Sequence, residues 1–167
     1  TLFNVLAHYQ PESTLIFCNT KQQCHDLRRE LRELGLQALA LHGDLEQFER
    51  DQVLTQFAGK SASILIATDV AARGLDVKEL AAVINFELSR DPEVHIHRIG
   101  RTARAGSKGL AVSLFTSSDK RHLQAIEEYQ GSDAKIVSTA TLTVAANFKL
   151  YPLMVTLFVN GGRKDKV

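Results

Sequence analysis

The sequence predicts an α/β domain built on a parallel sheet with helices on both faces. Short apolar, β-rich runs alternate with longer segments of helical period. Segments 64–67 (ILIA), 83–86 (VINF) and 110–115 (LAVSLF) are nearly all apolar, the pattern of strands covered on both sides. Repeated strand-then-helix order makes such strands parallel, and ligands then sit at the loops beyond the strand C-termini.

Segment 14–19 (TLIFCN) is the first strand. Thr20 with Gln23 forms a capping-box pattern, and Cys24, Leu27, Leu31 and Leu34 follow at helical spacing until Gly35 ends the helix. Strand 39–41 comes next, then Asp44 with Gln47 as a second capping box. The helix behind it runs through Phe48, Leu54 and Phe57 and stops at Gly59. After strands 64–67 and 83–86, Asp91 and Pro92 suit the cap and first position of another helix. Strand 110–115 precedes a last amphipathic helix over 119–129, which ends before Gly131. The first domain therefore covers 1–131. Residues 132–153, rich in Ser, Thr, Ala and Val without helical period, read as a linker. Segment 154–159 (MVTLFV) reads as an orphan strand, the start of a truncated following domain over 154–167. A lone strand closes no sheet, so the alternative is strand-mediated self-association with another copy.

A length of 167 residues suits about one domain, and 44% hydrophobic residues let such a chain bury roughly 70% of its unfolded surface without metal or disulfides. No apolar run approaches the roughly 20 residues that span a bilayer, and no signal segment opens the chain, so neither a membrane nor export is expected. Cys18 and Cys24 fit neither a disulfide framework nor a C-x-x-C site, which suits a cytoplasmic setting. Global charge is nearly balanced, with 20 Lys plus Arg against 19 Asp plus Glu. Local charge is not: residues 94–118 hold no acid but carry Arg98, Arg101, Arg104 and Lys108.

The densest motif lies in that window, 97–106 (HRIGRTARAG). Arg101 and Arg104, three apart, project to one side of a helical turn and can grip one phosphate from adjacent angles. Most charge runs are merely solvated faces. Here small residues separate the arginines and no acid within the run pairs with them. The second motif, 67–76 (ATDVAARGLD), leaves the buried strand directly. A Thr68 hydroxyl and backbone N–H groups at such a turn suit phosphate, and Asp76 can accept a ribose hydroxyl. The plainer role for Thr68 or Asp69 is to cap a short helix. Capping alone does not call for Arg73, Gly74 and Asp76 together. His95 and His97 share no helix face and no carboxylate completes a metal site, so no metal is expected. With 7% aromatics and no tryptophan, sugar and phosphate contacts are favoured over base stacking.

Together with 15–20 (LIFCNT), 42–44 (HGD), and Gln47 with Arg50, these motifs resemble the C-terminal RecA-like lobe of DEAD-box RNA helicases over residues 1–131. The resemblance implies a role for each matching residue. Arg101 and Arg104 would meet the γ-phosphate of ATP held on the N-terminal RecA-like lobe, and His97 would couple the nucleotide site to that lobe. Gly74 and Asp76 would lie against the nucleotide sugar. Thr20, Gly43, Asp44, Arg50 and Thr68 would line the path of RNA phosphates. Ala103 departs from the glycine usual in the family. The tail is similar to the stretch that, in one bacterial branch, leads into an RNA-recognition domain, which implies ribosomal RNA as the target and ribosome biogenesis as the process.

Gly59-Lys60-Ser61 imitates a Walker A ending, but Leu54 stands where that loop needs glycine, and no acidic DEAD-type motif follows a strand. ATP and Mg²⁺ are therefore expected mainly on the other lobe, with no cofactor and no hydrolysis for this chain alone. The alternatives are a stand-alone RNA-binding or adaptor module and a lobe of a DNA translocase.

Overall fold

A computed structural model of the chain describes residues 2–75, 80–102, 109–130 and 154–159. The elements in order are α1 (Leu2–Tyr9), β1 (Thr14–Cys18), α2 (Lys21–Glu33), β2 (Ala38–Leu41), α3 (Gln47–Ala58), β3 (Ile64–Thr68) and α4 (Asp69–Ala72). They continue with β4 (Ala82–Asn85), α5 (Pro92–Ile99), β5 (Leu110–Phe115), a single 3₁₀ turn, α6 (Lys120–Gln130) and β6 (Met154–Val159). The sheet order is β2-β3-β1-β4-β5-β6. The first five strands are all parallel, with Thr14 opposite both Ile64 and Ala82. The predicted α/β class is thus the observed one.

Alternation along the central strands divides the core between two faces, because successive side chains point to opposite sides. Ile16, Ile66, Ile84 and Val112 pack under α1 and α2, where Cys24, Leu27 and Leu31 supply the helical stripe. Leu15, Phe17, Leu65 and Val83 pack on the other face with Phe57 of α3 and Ala71 and Ala72 of α4. Ile16, Leu65, Ile66, Val83 and Ile84 are wholly buried. Each such side chain contributes about 1.5–3 kcal/mol of transfer free energy. The cap on α2 forms as the sequence predicts, with the Thr20 hydroxyl accepting from Gln23 N–H at 3.2 Å and the Gln23 side-chain Oε1 accepting from Thr20 N–H at 3.2 Å. Asp91 likewise caps α5 ahead of Pro92, accepting from Glu93 N–H at 2.9 Å.

Two local expectations need correction, and one helix is additional. Asp44 does not cap α3. That helix starts at Gln47, where Glu49 accepts from Glu46 N–H at 2.9 Å, and the Asp44 carboxylate pairs with Lys21 at 2.8 Å instead. Helix α1 is not announced by the sequence pattern: it is only eight residues long and is held by burying Leu2, Val5 and Leu6. Segment 154–159 is not an orphan. As β6 it runs antiparallel along β5, with Leu110 opposite Val159 and Phe115 opposite Met154, because β5 otherwise ends the sheet with a row of unpaired backbone groups. The strand thus finds its partner within the chain, and β2 and β6 are the edges of the sheet. The linker 132–153 lies outside the described residues.

Candidate functional site

Because β1, β2 and β3 are parallel neighbours, Cys18, Leu41 and Thr68 all emerge at one edge of the sheet. That geometry delivers Thr20, Gly43, Asp44 and Thr68 to a common rim from three separate loops. Thr20 is exposed as the cap of α2, and Gly43 and Asp44 are exposed after β2. The hydrogen bond from Lys21 holds the Asp44 carboxyl below its ordinary range. Thr68 stands at the cap position of α4, but its hydroxyl makes no capping bond. Arg50 reaches across from α3, and its Nη2 donates to Ala71 O at 2.7 Å and Arg73 O at 3.4 Å. These carbonyls end the short α4, so Arg50 ties the third loop to the helix beside it.

The described residues predicted for nucleotide lie at the C-terminal ends of α4 and α5. His97 is exposed in the last turn of α5. Arg101 is half-buried just past that helix, and its Nη1 donates to Leu75 O at 3.2 Å. Gly74, next to Leu75, has φ +75°, a backbone state that favours glycine, and the space where a Cβ would project is open. Gly74 and Arg101 are thus brought together. The Thr102 hydroxyl donates to the Leu80 carbonyl at 2.6 Å and pins the chain where it leaves α5. Asp76, Ala103 and Arg104 lie outside the described residues. Segment 68–75 links the two sets: it begins at the rim with Thr68 and ends against Arg101.

Sequence reasoning missed the residue that organises this edge. By sequence Arg98 is one charge in an acid-free run, yet its side chain is 2% exposed and grips the Asp69 carboxylate with two bonds. Nε donates to Oδ1 at 2.7 Å and Nη2 to Oδ2 at 2.6 Å. The run holds no acid of its own, and the partner of Arg98 comes from 29 residues away through the fold. A carboxylate directly after a buried strand was the available signal. Arg98 also donates to Asn19 Oδ1, Asn85 Oδ1 and the Glu87 carbonyl, and its guanidinium carbon lies 5.1 Å from the Phe17 ring centroid.

Other titratable groups here are set by burial. His95, wholly buried on α5, is pushed down to about 4 by desolvation and then by the Arg98 charge. His42, whose ring lies 4.3 Å from that of His25, is lowered by burial and then by that neighbour. The Cys18 and Cys24 thiols are buried and hydrogen-bonded to each other, which raises Cys18 and lowers Cys24. Beside the rim, a cleft of about 910 Å³ opens between the ends of β1, β4 and β5, lined by Asn19, Gln23, Glu87, Arg90, Thr116 and His122. The arrangement presents backbone amides, hydroxyls and cationic side chains on one edge, a surface suited to phosphodiester and nucleotide phosphate.

Residues 1–106 match the family described as helicase conserved C-terminal domain. The ATP-dependent RNA helicase DbpA of Escherichia coli (strain K12) is 48% identical over 99% of this chain and 36% of its own length. Its namesake from Bacillus subtilis (strain 168) is 36% identical over 99% of the chain and 39% of its own length. The chain therefore spans little more than a third of these relatives. Among solved structures, the E. coli DEAD-box protein SrmB bound to regulator of ribonuclease activity A superposes with a TM-score of 0.73 at 35% identity, covering 77% of this chain and 75% of that one. The C-terminal domain of the DEAD-box protein Dbp5 gives a TM-score of 0.68 at 36% identity over 77% and 78%. On these matches the chain belongs to the helicase conserved C-terminal domain family, as a RecA-like lobe of the DEAD-box RNA helicase type.

Proposed function

We propose that this chain is the C-terminal lobe of an ATP-dependent RNA helicase, which lends arginines to a nucleotide held on the N-terminal lobe and grips RNA by its backbone. The observation that carries the reading is segment 68–75, which starts at the rim of exposed hydroxyls and amides and ends at the contact between Arg101 Nη1 and Leu75 O. Arg101, and Arg104 with it, would place positive charge beside the γ-phosphate as the lobes close. His97 would face the other lobe, and the open space above Gly74, with Asp76 nearby in sequence, would admit the nucleotide sugar. Mg²⁺ supplies charge neutralisation of the transferred phosphoryl and would arrive with the nucleotide on the other lobe. Thr20, Gly43, Asp44, Arg50 and Thr68 would follow the RNA phosphates, contacts that ignore base sequence. One solved relative, yeast Dbp5 bound to RNA and ADP BeF3, has the same lobe at a TM-score of 0.69 and 36% identity.

A ribosomal RNA target and a part in ribosome assembly belong to the same proposal. They are supported by the tail, since the two DbpA sequences align over 99% of the chain while the yeast DBP2 match stops at 64%. A cytoplasmic setting suits the pair of thiols at Cys18 and Cys24.

The test is Arg101→Ala in the intact protein. RNA-stimulated ATP hydrolysis should fall by about 10³-fold or more, the scale of an arginine finger, while ATP still binds. Normal turnover would remove the role assigned to Arg101. An adaptor module would instead bind RNA tightly as this chain alone, with no gain on adding the other lobe and ATP.

A further inference from the structure

The Arg98 guanidinium has five N–H donors, and the structure gives it five acceptors. Nε and Nη2 hold the two Asp69 oxygens, and Nη2 also meets Asn19 Oδ1 at 2.9 Å. Nη1 meets the Glu87 carbonyl at 2.9 Å and Asn85 Oδ1 at 3.3 Å. With 2% exposure and no unspent donor, this side chain is not a phosphate ligand. Its partners are the notable feature. Asn19 precedes Thr20 after β1, Asp69 follows Thr68 after β3, and Asn85 and Glu87 stand at the end of β4. Arg98 itself sits next to His97 and one turn before Arg101 on α5.

We infer that Arg98 is a positioning residue, which transmits occupancy of the RNA rim at Thr20 and Thr68 to the Arg101 turn; the inference rests on the function proposed above. The guanidinium is planar and rigid, so a shift of the Asn19 or Asp69 loop moves the whole fork, and with it the last turn of α5. A lysine would keep the charge but span only a subset of the partners, so the loops and the helix would move separately. Asn19 offers the mildest way to cut the link. It is exposed, its Oδ1 faces Arg98, and its Nδ2 donates separately to the Leu88 carbonyl at 3.1 Å.

The decisive quantity is the coupling ratio in the intact protein: ATP affinity with saturating single-stranded RNA divided by ATP affinity without it. Asn19→Ala and Arg98→Lys should each cut this ratio by about 5-fold or more, the lower end of allosteric coupling. ATP affinity without RNA should stay within about 2-fold, because neither residue meets nucleotide. Asn19→Asp, which keeps an acceptor for Arg98 but loses the donor to Leu88, should hold the wild-type ratio. If both Asn19→Ala and Arg98→Lys keep that ratio while their melting temperatures fall, Arg98 is a packing residue and the inference is overturned. Should Arg98→Lys fail to fold, Asn19→Ala alone decides by the same ratio. A wild-type protein whose ATP affinity ignores RNA overturns the helicase reading instead, so the two failures separate.

Discussion

Removing the Asp69 carboxylate should destabilise this lobe far more than its surface position suggests. Arg98 is 2% exposed, and two bonds of 2.7 and 2.6 Å to Asp69 offset most of the cost of keeping its charge out of water. Breaking one side of a buried ion pair costs about 3–5 kcal/mol, because the remaining charge stays desolvated. Asp69 is 32% exposed, so water enters part of the space its side chain leaves and the low end, about 3 kcal/mol, applies. In a chain of this size each kcal/mol lowers the melting temperature by about 2–4 °C, giving about 6–12 °C for Asp69→Ala. Thermal and urea unfolding followed by far-UV circular dichroism read this directly, with the urea slope checking that the unfolded state is unchanged. The double variant Asp69→Ala/Arg98→Met takes away the stranded charge and should recover at least about 1 kcal/mol over Asp69→Ala. A shift under about 2 °C for Asp69→Ala, or strict additivity in the double variant, would show that the pair is solvated and that the argument for Arg98 is wrong.

Two further outcomes follow from the same edge. His95 is neutral in the folded lobe down to about 4, whereas an unfolded histidine takes up its proton near 6.5. Between those values only the unfolded chain binds the extra proton, so stability falls as pH is lowered through this window, by about 3 kcal/mol in full. Urea midpoints at pH 7 and pH 4.5 should converge in His95→Leu relative to wild type, and an unchanged gap would remove His95 as the cause. Arg50→Ala should loosen the end of α4, where the side chain donates to Ala71 O at 2.7 Å, at a cost of about 1.5–3 kcal/mol. In RNA titrations it should also lower the salt slope by about 1, and an unchanged slope would confine Arg50 to its backbone contacts.

Most of the fold was legible because burial writes itself into sequence at short range. Strands covered on both faces must be apolar throughout, so 64–67 and 110–115 could be read directly, and Gly35, with φ +80°, marked the end of α2. Where an element depends on a distant partner, the pattern fails. Asp44 looks like a cap by spacing, but its carboxylate is taken by Lys21, 23 residues earlier in the chain. Phe48 reads as part of the apolar stripe of α3 and is in fact 71% exposed, because at about 3.6 residues per turn it falls on the face opposite the buried Phe57. Segment 154–159 shows its strand character by composition, yet nothing local names β5 as its neighbour.

The site was legible to the same extent and for the same reason. Loop residues at the ends of parallel strands come together through topology, so once the strand order is right Thr20, Gly43, Asp44 and Thr68 must share a rim. Arg98 and Arg101 show what topology by itself leaves open. They are three apart in one basic run, and spacing alone gives both the same standing. Phe17, Asn19, Asp69 and Asn85, from three strands and their loops, enclose one and leave the other half-open against Leu75. An arginine whose donors are all engaged inside the protein fixes geometry, and an arginine with one backbone contact near an open glycine can meet a ligand. Which arginine does which is decided by the carboxylate at position 69, and that carboxylate is adjacent to Arg98 only after β1, β3 and β4 have paired.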